Sequence, residues 1–141
     1  MKKQKKQNKP NKQNKPKKLS LPALRRKAWG LFSKYIRQKY VSNSGDVKCV
    51  SCNQWISVTG AHAGHFIHAS KQSKLSYDER NVHPQCVACN YYGMQGLAAI
   101  QYTQFMYRVY GEKVVDELKA MKHAKEYLKR ADLEALIEKY S

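Results

Sequence analysis

Residues 49–90 read CVSCNQWISVTGAHAGHFIHASKQSKLSYDERNVHPQCVACN, and this stretch decides how the rest of the chain is understood. Two Cys-x-x-Cys pairs, Cys49/Cys52 and Cys86/Cys89, close the segment at its two ends, and they are the only 4 cysteines in the chain. A thiolate two residues beyond another, across a tight turn, reaches the same ion, so each pair supplies one side of a tetrahedral site. Four soft thiolates suit structural Zn²⁺, or a rubredoxin-like iron, better than a hard cation. Two disulfides in a secreted domain are the competing reading. The paired spacing opposes it, as does an N-terminus with charge but no apolar signal region. The insert is longer than the ~15–20 residues of simple zinc ribbons. It carries His62, His65, His68 and His83, four of the 5 histidines. A metal knuckle that encloses so many imidazoles frames a second site.

Around the second pair the sequence runs Asp78-Glu79-Arg80-Asn81-Val82-His83-Pro84-Gln85-Cys86-Val87-Ala88-Cys89-Asn90, preceded by Gly60-Ala61-His62-Ala63-Gly64-His65-Phe66-Ile67. This resembles the HNH, or ββα-metal, endonucleases. They carry a histidine on one short strand, an asparagine on a second, and a histidine or asparagine opening a helix. Here those positions are His65, Asn81 and Asn90. A closer resemblance, from about Tyr35 to Leu118, is to the phage NinG/Rap family of recombination endonucleases. One departure stands out: the family's Asp-Ala-Gly-His is His62-Ala63-Gly64-His65 here. Related junction-resolving nucleases place an acid just before the second histidine, where this chain has Gly64.

The resemblance implies phosphodiester hydrolysis, with the catalytic set His65, Asn81 and Asn90. His65 takes the proton from the attacking water, a workable role near pH 7 for a group with an unperturbed pKa of ~6.5. Asn90 and His62 would hold a catalytic Mg²⁺ or Mn²⁺, and the His62 imidazole favours Mn²⁺ or a later ion. Asn81 would hydrogen-bond across the loop and orient the His65 imidazole. His83, two residues beyond Asn81 on the same strand face, is either an additional contact to phosphate or metal or a plain structural histidine. His68 reads as a solvated loop residue.

Charge is unevenly placed. The chain has 27 Lys and Arg against 10 Asp and Glu, a net charge of +17. Residues 1–45 hold 15 of the basic residues and none of the acids. Residues 1–18, MKKQKKQNKPNKQNKPKK, have almost nothing to bury and read as a disordered basic arm. Such an arm binds polyanions by releasing counterions. Its Lys2, Lys3, Lys5, Lys6, Lys17 and Lys18 are candidate DNA contacts, with Arg25 and Arg26 on the first helix and Lys71 and Lys74 in the insert's polar loop. No stretch approaches the ~20 apolar residues of a membrane span, which excludes a membrane partner and favours the cytoplasm, that of a bacterial host if the chain is phage-encoded.

The expected fold class is α+β: a small zinc-stabilised ββα-metal core flanked by helices. After the arm, residues 19–44 form an amphipathic helix over Ser20 to Tyr40, with Ser20 as N-cap and Pro22 in its first turn. Residues 45–96 form the zinc-bracketed core, with strands at Trp55–Val58, His65–Ile67 and Asn81–Gln85 and a helix opening near Val87. Residues 97–141 form a helical region, with helices at Leu97–Tyr110, Glu112–Met121 and Ala131–Tyr140. Tyr91 and Tyr92 either stack on bases or close the core. The expected function is a metal-dependent, structure-selective DNA endonuclease acting on branched recombination intermediates, for which a homodimer makes mechanistic sense. The alternative is a catalytically inactive zinc-knuckle DNA-binding protein with a degenerate HNH fold. A ribosome-associated basic zinc protein would explain the arm and the cysteines but not the order His65, Asn81, Asn90.

Overall fold

The structure is a computed structural model that describes residues 16–141. Most of the arm, including Lys2, Lys3, Lys5 and Lys6, lies outside the described residues. Helix α1 spans Leu21–Gln38, and the Ser20 hydroxyl accepts from the Ala23 N–H at 3.3 Å. That bond meets one of the donors a helix start leaves open, and Pro22 has no N–H to leave open. Leu24, Ala28, Phe32 and Ile36 recur at helical spacing and are buried. Helix α4, Arg130–Tyr140, covers them with Leu133. Glu79 fastens the same two helices. Its carboxylate accepts from the Tyr140 hydroxyl at 2.7 Å, from Lys39 Nζ at 3.1 Å and from the Tyr35 hydroxyl at 3.3 Å.

Two antiparallel hairpins follow α1. Strands β1 (Asp46–Lys48) and β2 (Trp55–Ser57) pair with Val47 opposite Ile56 and enclose the first cysteine pair. Strands β3 (His62–His65) and β4 (Val82–Gln85) pair with His62 opposite Gln85 and His65 opposite Val82. The first strand of this hairpin thus precedes the expected His65–Ile67 by three residues. Phe66 and Ile67 carry the higher β-propensity, but it is the Gly64 segment that lies along β4. Between β3 and β4 the chain makes two 3₁₀ turns, Lys74–Tyr77 and Glu79–Asn81. Asn81 therefore sits in a turn just before β4, not on the strand.

Beyond β4 the expected helix near Val87 is a π-helical turn, Ala88–Gly93. It carries Cys89 and Asn90. Helices α2 (Leu97–Val109) and α3 (Glu112–Ala124) meet at Gly111, whose φ of 83° favours a residue without Cβ. Tyr102 and Met106 of α2 and Val115 and Leu118 of α3 form a second core with Val50 and Leu75. Among the described residues no helix is long and apolar enough to cross a membrane.

Candidate functional site

The knuckle brings all four thiols together. Sγ of Cys49, Cys52, Cys86 and Cys89 lie within 4.8 Å of one another, and none forms a disulfide. Zn–S bonds of about 2.3 Å in a tetrahedron set sulfurs about 3.8 Å apart. Cys52 Sγ and Cys86 Sγ are 3.9 Å apart, so the donor set fits zinc. Burial works against a Cys86 thiolate, but the Cys89 backbone N–H, 3.4 Å from its sulfur, and the neighbouring thiols draw its pKa down. Burial pushes the Cys49 and Cys89 thiols up. A cation among them reverses that balance.

The β3–β4 hairpin places His65 against α1. Its ring stacks on Trp29 with centroids 5.2 Å apart and planes 16° from parallel. Nε2 lies 3.0 Å from the Ser76 carbonyl oxygen. A carbonyl only accepts, so Nε2 carries the proton and the lone pair is left on Nδ1. Burial lowers the His65 pKa below its ordinary value, only partly offset by the Ser76 carbonyl. The imidazole is therefore neutral at pH 7.

Asn81 is fully buried and braces the loop that supplies that carbonyl. Its side-chain oxygen accepts from Ile67 N–H at 2.9 Å, and its amide donates to the carbonyls of Ile67 at 3.0 Å and Leu75 at 3.2 Å. It holds His65 through the backbone of the loop, not by touching the ring. Gly64 has an equally local reason. A Cβ there would collide with the Gln85 amide, which donates to the Ser51 hydroxyl at 2.9 Å. An acid at that position would have to displace this glutamine.

His83 is a core residue, the structural one of its two readings, and not a phosphate or metal contact. It is 3% exposed, and both ring nitrogens are engaged. The Tyr102 hydroxyl donates to the Gly64 carbonyl at 2.8 Å, so it accepts from His83 Nδ1–H at 2.9 Å. Nε2 then accepts from the Tyr110 hydroxyl at 2.8 Å. This relay ties α2 to the strand that carries His65. Burial pushes the His83 pKa down to about 4.

His62 and Asn90 do meet. Asn90 Nδ2 lies 3.1 Å from His62 Nδ1, and Tyr91 abuts the His62 ring edge-on. Three residues apart on β3, His62 and His65 point to opposite faces of the hairpin. His62 faces the π-turn and His65 faces α1. Among the described residues, the four cysteines are the only group of three or more His, Cys, Asp or Glu able to share an ion. An imidazole and an amide without a carboxylate are a poor cradle for Mg²⁺, which needs hard oxygen ligands. They suit a later divalent ion better.

His65 forms part of the wall of a cavity of about 560 Å³ with Trp29, Tyr77, Arg25, Arg26 and Lys71. Arg25 Nε is buried there without a hydrogen-bond partner among the described residues. Lys17 and Lys18 are exposed just before α1. Lys74 lies apart, 3.4 Å from Glu126. His68 is exposed, its ring 6.2 Å from that of His65. Trp29 and Ser76 escape a reading by motif, because an indole at a buried helix face and a backbone carbonyl leave no distinguishing mark in sequence.

The family model described as Bacteriophage Lambda NinG protein matches residues 1–141. Over 77 residues the chain is 34% identical to Protein ninG of Escherichia phage 933W and of Salmonella phage P22, and 32% identical to that of Escherichia phage lambda. These alignments cover 53% of this chain and 35–36% of the relatives, so the chain matches about a third of their length. No solved structure matches. Its full length lies under one family model, and the chain belongs to the phage NinG family.

Proposed function

We propose that this chain is a structure-selective DNA endonuclease that hydrolyses phosphodiesters in branched recombination intermediates such as Holliday junctions and D-loops. The observation that carries this reading is a neutral imidazole at the wall of a cationic cavity. His65 Nε2 is held by the Ser76 carbonyl, its Nδ1 is left basic, and Arg25, Arg26 and Lys71 share the cavity. A polyanion is drawn to such a cavity, and the guanidinium groups of Arg25 and Arg26 suit phosphate oxygens. His65 removes the proton of the attacking water. Asn81 keeps the loop carbonyl in place, and the Trp29 ring limits rotation of the imidazole. His62 and Asn90, on the opposite face of the hairpin from His65, would hold a divalent ion of the Mn²⁺ kind, whose chemistry would be charge stabilisation at a phosphate, while Arg25 and Arg26 are the cations beside His65 itself.

A second reading, a catalytically inactive DNA-binding protein, is favoured by one observation: among the described residues no carboxylate joins His62 and Asn90 in a group of three or more that could share an ion. The two readings part in a cleavage assay on a labelled four-way junction, a D-loop and plain duplex, with Mg²⁺ or Mn²⁺. Cutting that is selective for the branched substrates and lost in His65→Ala supports the endonuclease. Tight binding without cutting in either metal supports the inactive protein.

A further inference from the structure

A second cavity, of about 430 Å³, lies between the zinc knuckle and α2, at the other end of α1 from His65. Its rim is aromatic and basic. Trp55 is 60% exposed and Tyr40 58% exposed, although large aromatic rings ordinarily seek burial. Lys48 Nζ sits 5.6 Å from the Trp55 ring centre, and Arg108 Cζ sits 5.8 Å from that of Phe105. No acidic side chain lines the cavity. Asn53, in the left-handed conformation at φ 62°, brings its amide to the rim. Flat rings, cations placed on them and a free amide are what a nucleobase with its phosphate requires: stacking, charge neutralisation and an edge donor and acceptor. The charged groups lining the cavity are all cationic, so a protein partner of mixed charge finds no acid to pair with here, whereas a nucleic-acid strand matches that charge.

We propose that this cavity holds an unpaired base of a DNA single strand, stacked on Trp55, with its flanking phosphates on Lys48 and Arg108. The proposal rests on the reading of this chain as a DNA-binding protein and adds to it a site that recognises single-stranded DNA. The 18 residues of α1 make it about 27 Å long. The His65 cavity borders the first half of the helix, from Pro22 to Trp29, and the base pocket lies beyond its end, at Tyr40. At about 3.4 Å per nucleotide along one strand, the two sites are roughly five to seven nucleotides apart. A substrate that reaches both must pair a duplex segment with a strand freed from its partner, as a branch does.

The test is fluorescence anisotropy with the full, zinc-loaded chain. The probes are a labelled oligothymidylate of about 20 nucleotides and a duplex of the same length. Wild type, Trp55→Ala, Trp55→Phe and Arg108→Ala are compared. Stacking on one aromatic ring is worth roughly five- to a hundredfold in affinity. Trp55→Ala is expected to weaken oligothymidylate binding on the order of tenfold and leave duplex binding within a factor of two. Trp55→Phe should recover most of the loss, as a stacking surface requires, and retained duplex binding in Trp55→Ala shows that its fold is intact. Arg108→Ala should weaken the single strand more than the duplex. Unchanged oligothymidylate binding in Trp55→Ala, with duplex still bound, overturns the pocket and leaves DNA binding standing. Equal losses on both probes also overturn it. Failure of wild type to bind either probe overturns the pocket together with the DNA-binding reading.

Discussion

The carbonyl oxygen of Ser76 decides which nitrogen of His65 is basic. At 3.0 Å from Nε2 it can only accept, which fixes the proton on Nε2 and frees Nδ1. The same contact explains why Asn81 matters without touching the ring. Its amide donates to the Leu75 carbonyl, one residue before Ser76.

Cleavage should therefore follow the titration of His65. The neutral ring is the working form, and burial holds its pKa below the ordinary 6.5. The rate should rise with pH along a single limb whose midpoint lies below 6.5, and fall as pH drops through that lowered value. A pH profile of kcat/KM on a branched substrate checks this. His65→Ala should lose about 10²–10⁴-fold and keep its zinc content. An acid limb centred above pH 7 would remove His65 from the role of base.

Asn81→Ala removes three hydrogen bonds from a fully buried loop. The expected cost is about 2–4 kcal/mol in urea unfolding. Asn81→Asp should do at least as badly, because a carboxylate cannot donate to the carbonyls of Ile67 and Leu75. A variant that unfolds with the wild type but cuts poorly would move Asn81 from the loop to the chemistry.

Stability should also depend on pH through His83. Its pKa is about 4 in the folded chain because the ring is buried, against about 6.5 in the unfolded chain. The unfolded state thus binds more protons between those values. The stabilisation is complete above pH 6.5 and is lost as pH falls towards 4, on the order of 2–3 kcal/mol. His65, also lowered, adds a contribution of the same sign. His83→Phe should be less stable at pH 7, since the Tyr102 and Tyr110 hydroxyls lose their partner, but flatter against pH. Urea unfolding at pH 7 and pH 5 separates the two effects.

The four cysteines and the helices were legible because each declares itself locally: the thiols by Cys-x-x-Cys spacing, α1 by Ser20, Pro22 and an apolar face. What the sequence hid depends on distant partners. The register of β3 is set by Gln85 lying over Gly64, not by the propensity of Phe66 and Ile67. The two readings of His83 could not be separated in the sequence because its two tyrosine partners stand 19 and 27 residues further along the chain. The π-turn that carries Asn90 is anchored by the thiols and by Met94 against Gln85. No local pattern distinguishes it from an α-helical start.

Zinc removal should unfold the core. Cys49 and Cys52 belong to the β1–β2 hairpin and Cys86 and Cys89 to the chain leaving β4, and the third buried cluster is little more than these sulfurs with Ala98 and Met94. Without the ion, few apolar contacts replace the link. A strong chelator, or Cys86→Ser, should abolish cooperative thermal unfolding, and added Zn²⁺ should restore it to the chelated wild type but not to Cys86→Ser. A metal-free chain with an unchanged transition would count against a structural ion.

Two sources of positive charge can be told apart by salt. Residues 1–18 carry nine lysines and no acid, whereas Arg25 and Arg26 sit on α1 at the His65 cavity. Each phosphate neutralised contributes about 0.9 to the slope of log affinity against log salt. Deleting residues 1–18 should lower the slope on plain duplex by several units, since the arm's contribution is independent of DNA structure. Arg25→Ala with Arg26→Ala should lower it by about two at most, yet reduce cleavage far more than binding, because those cations lie beside the candidate base. Binding isotherms from low to moderate salt, paired with single-turnover cleavage, give both quantities. A slope untouched by the deletion would take the arm out of the DNA interface. Equal losses of binding and cutting in the double variant would reduce Arg25 and Arg26 to general electrostatic attraction.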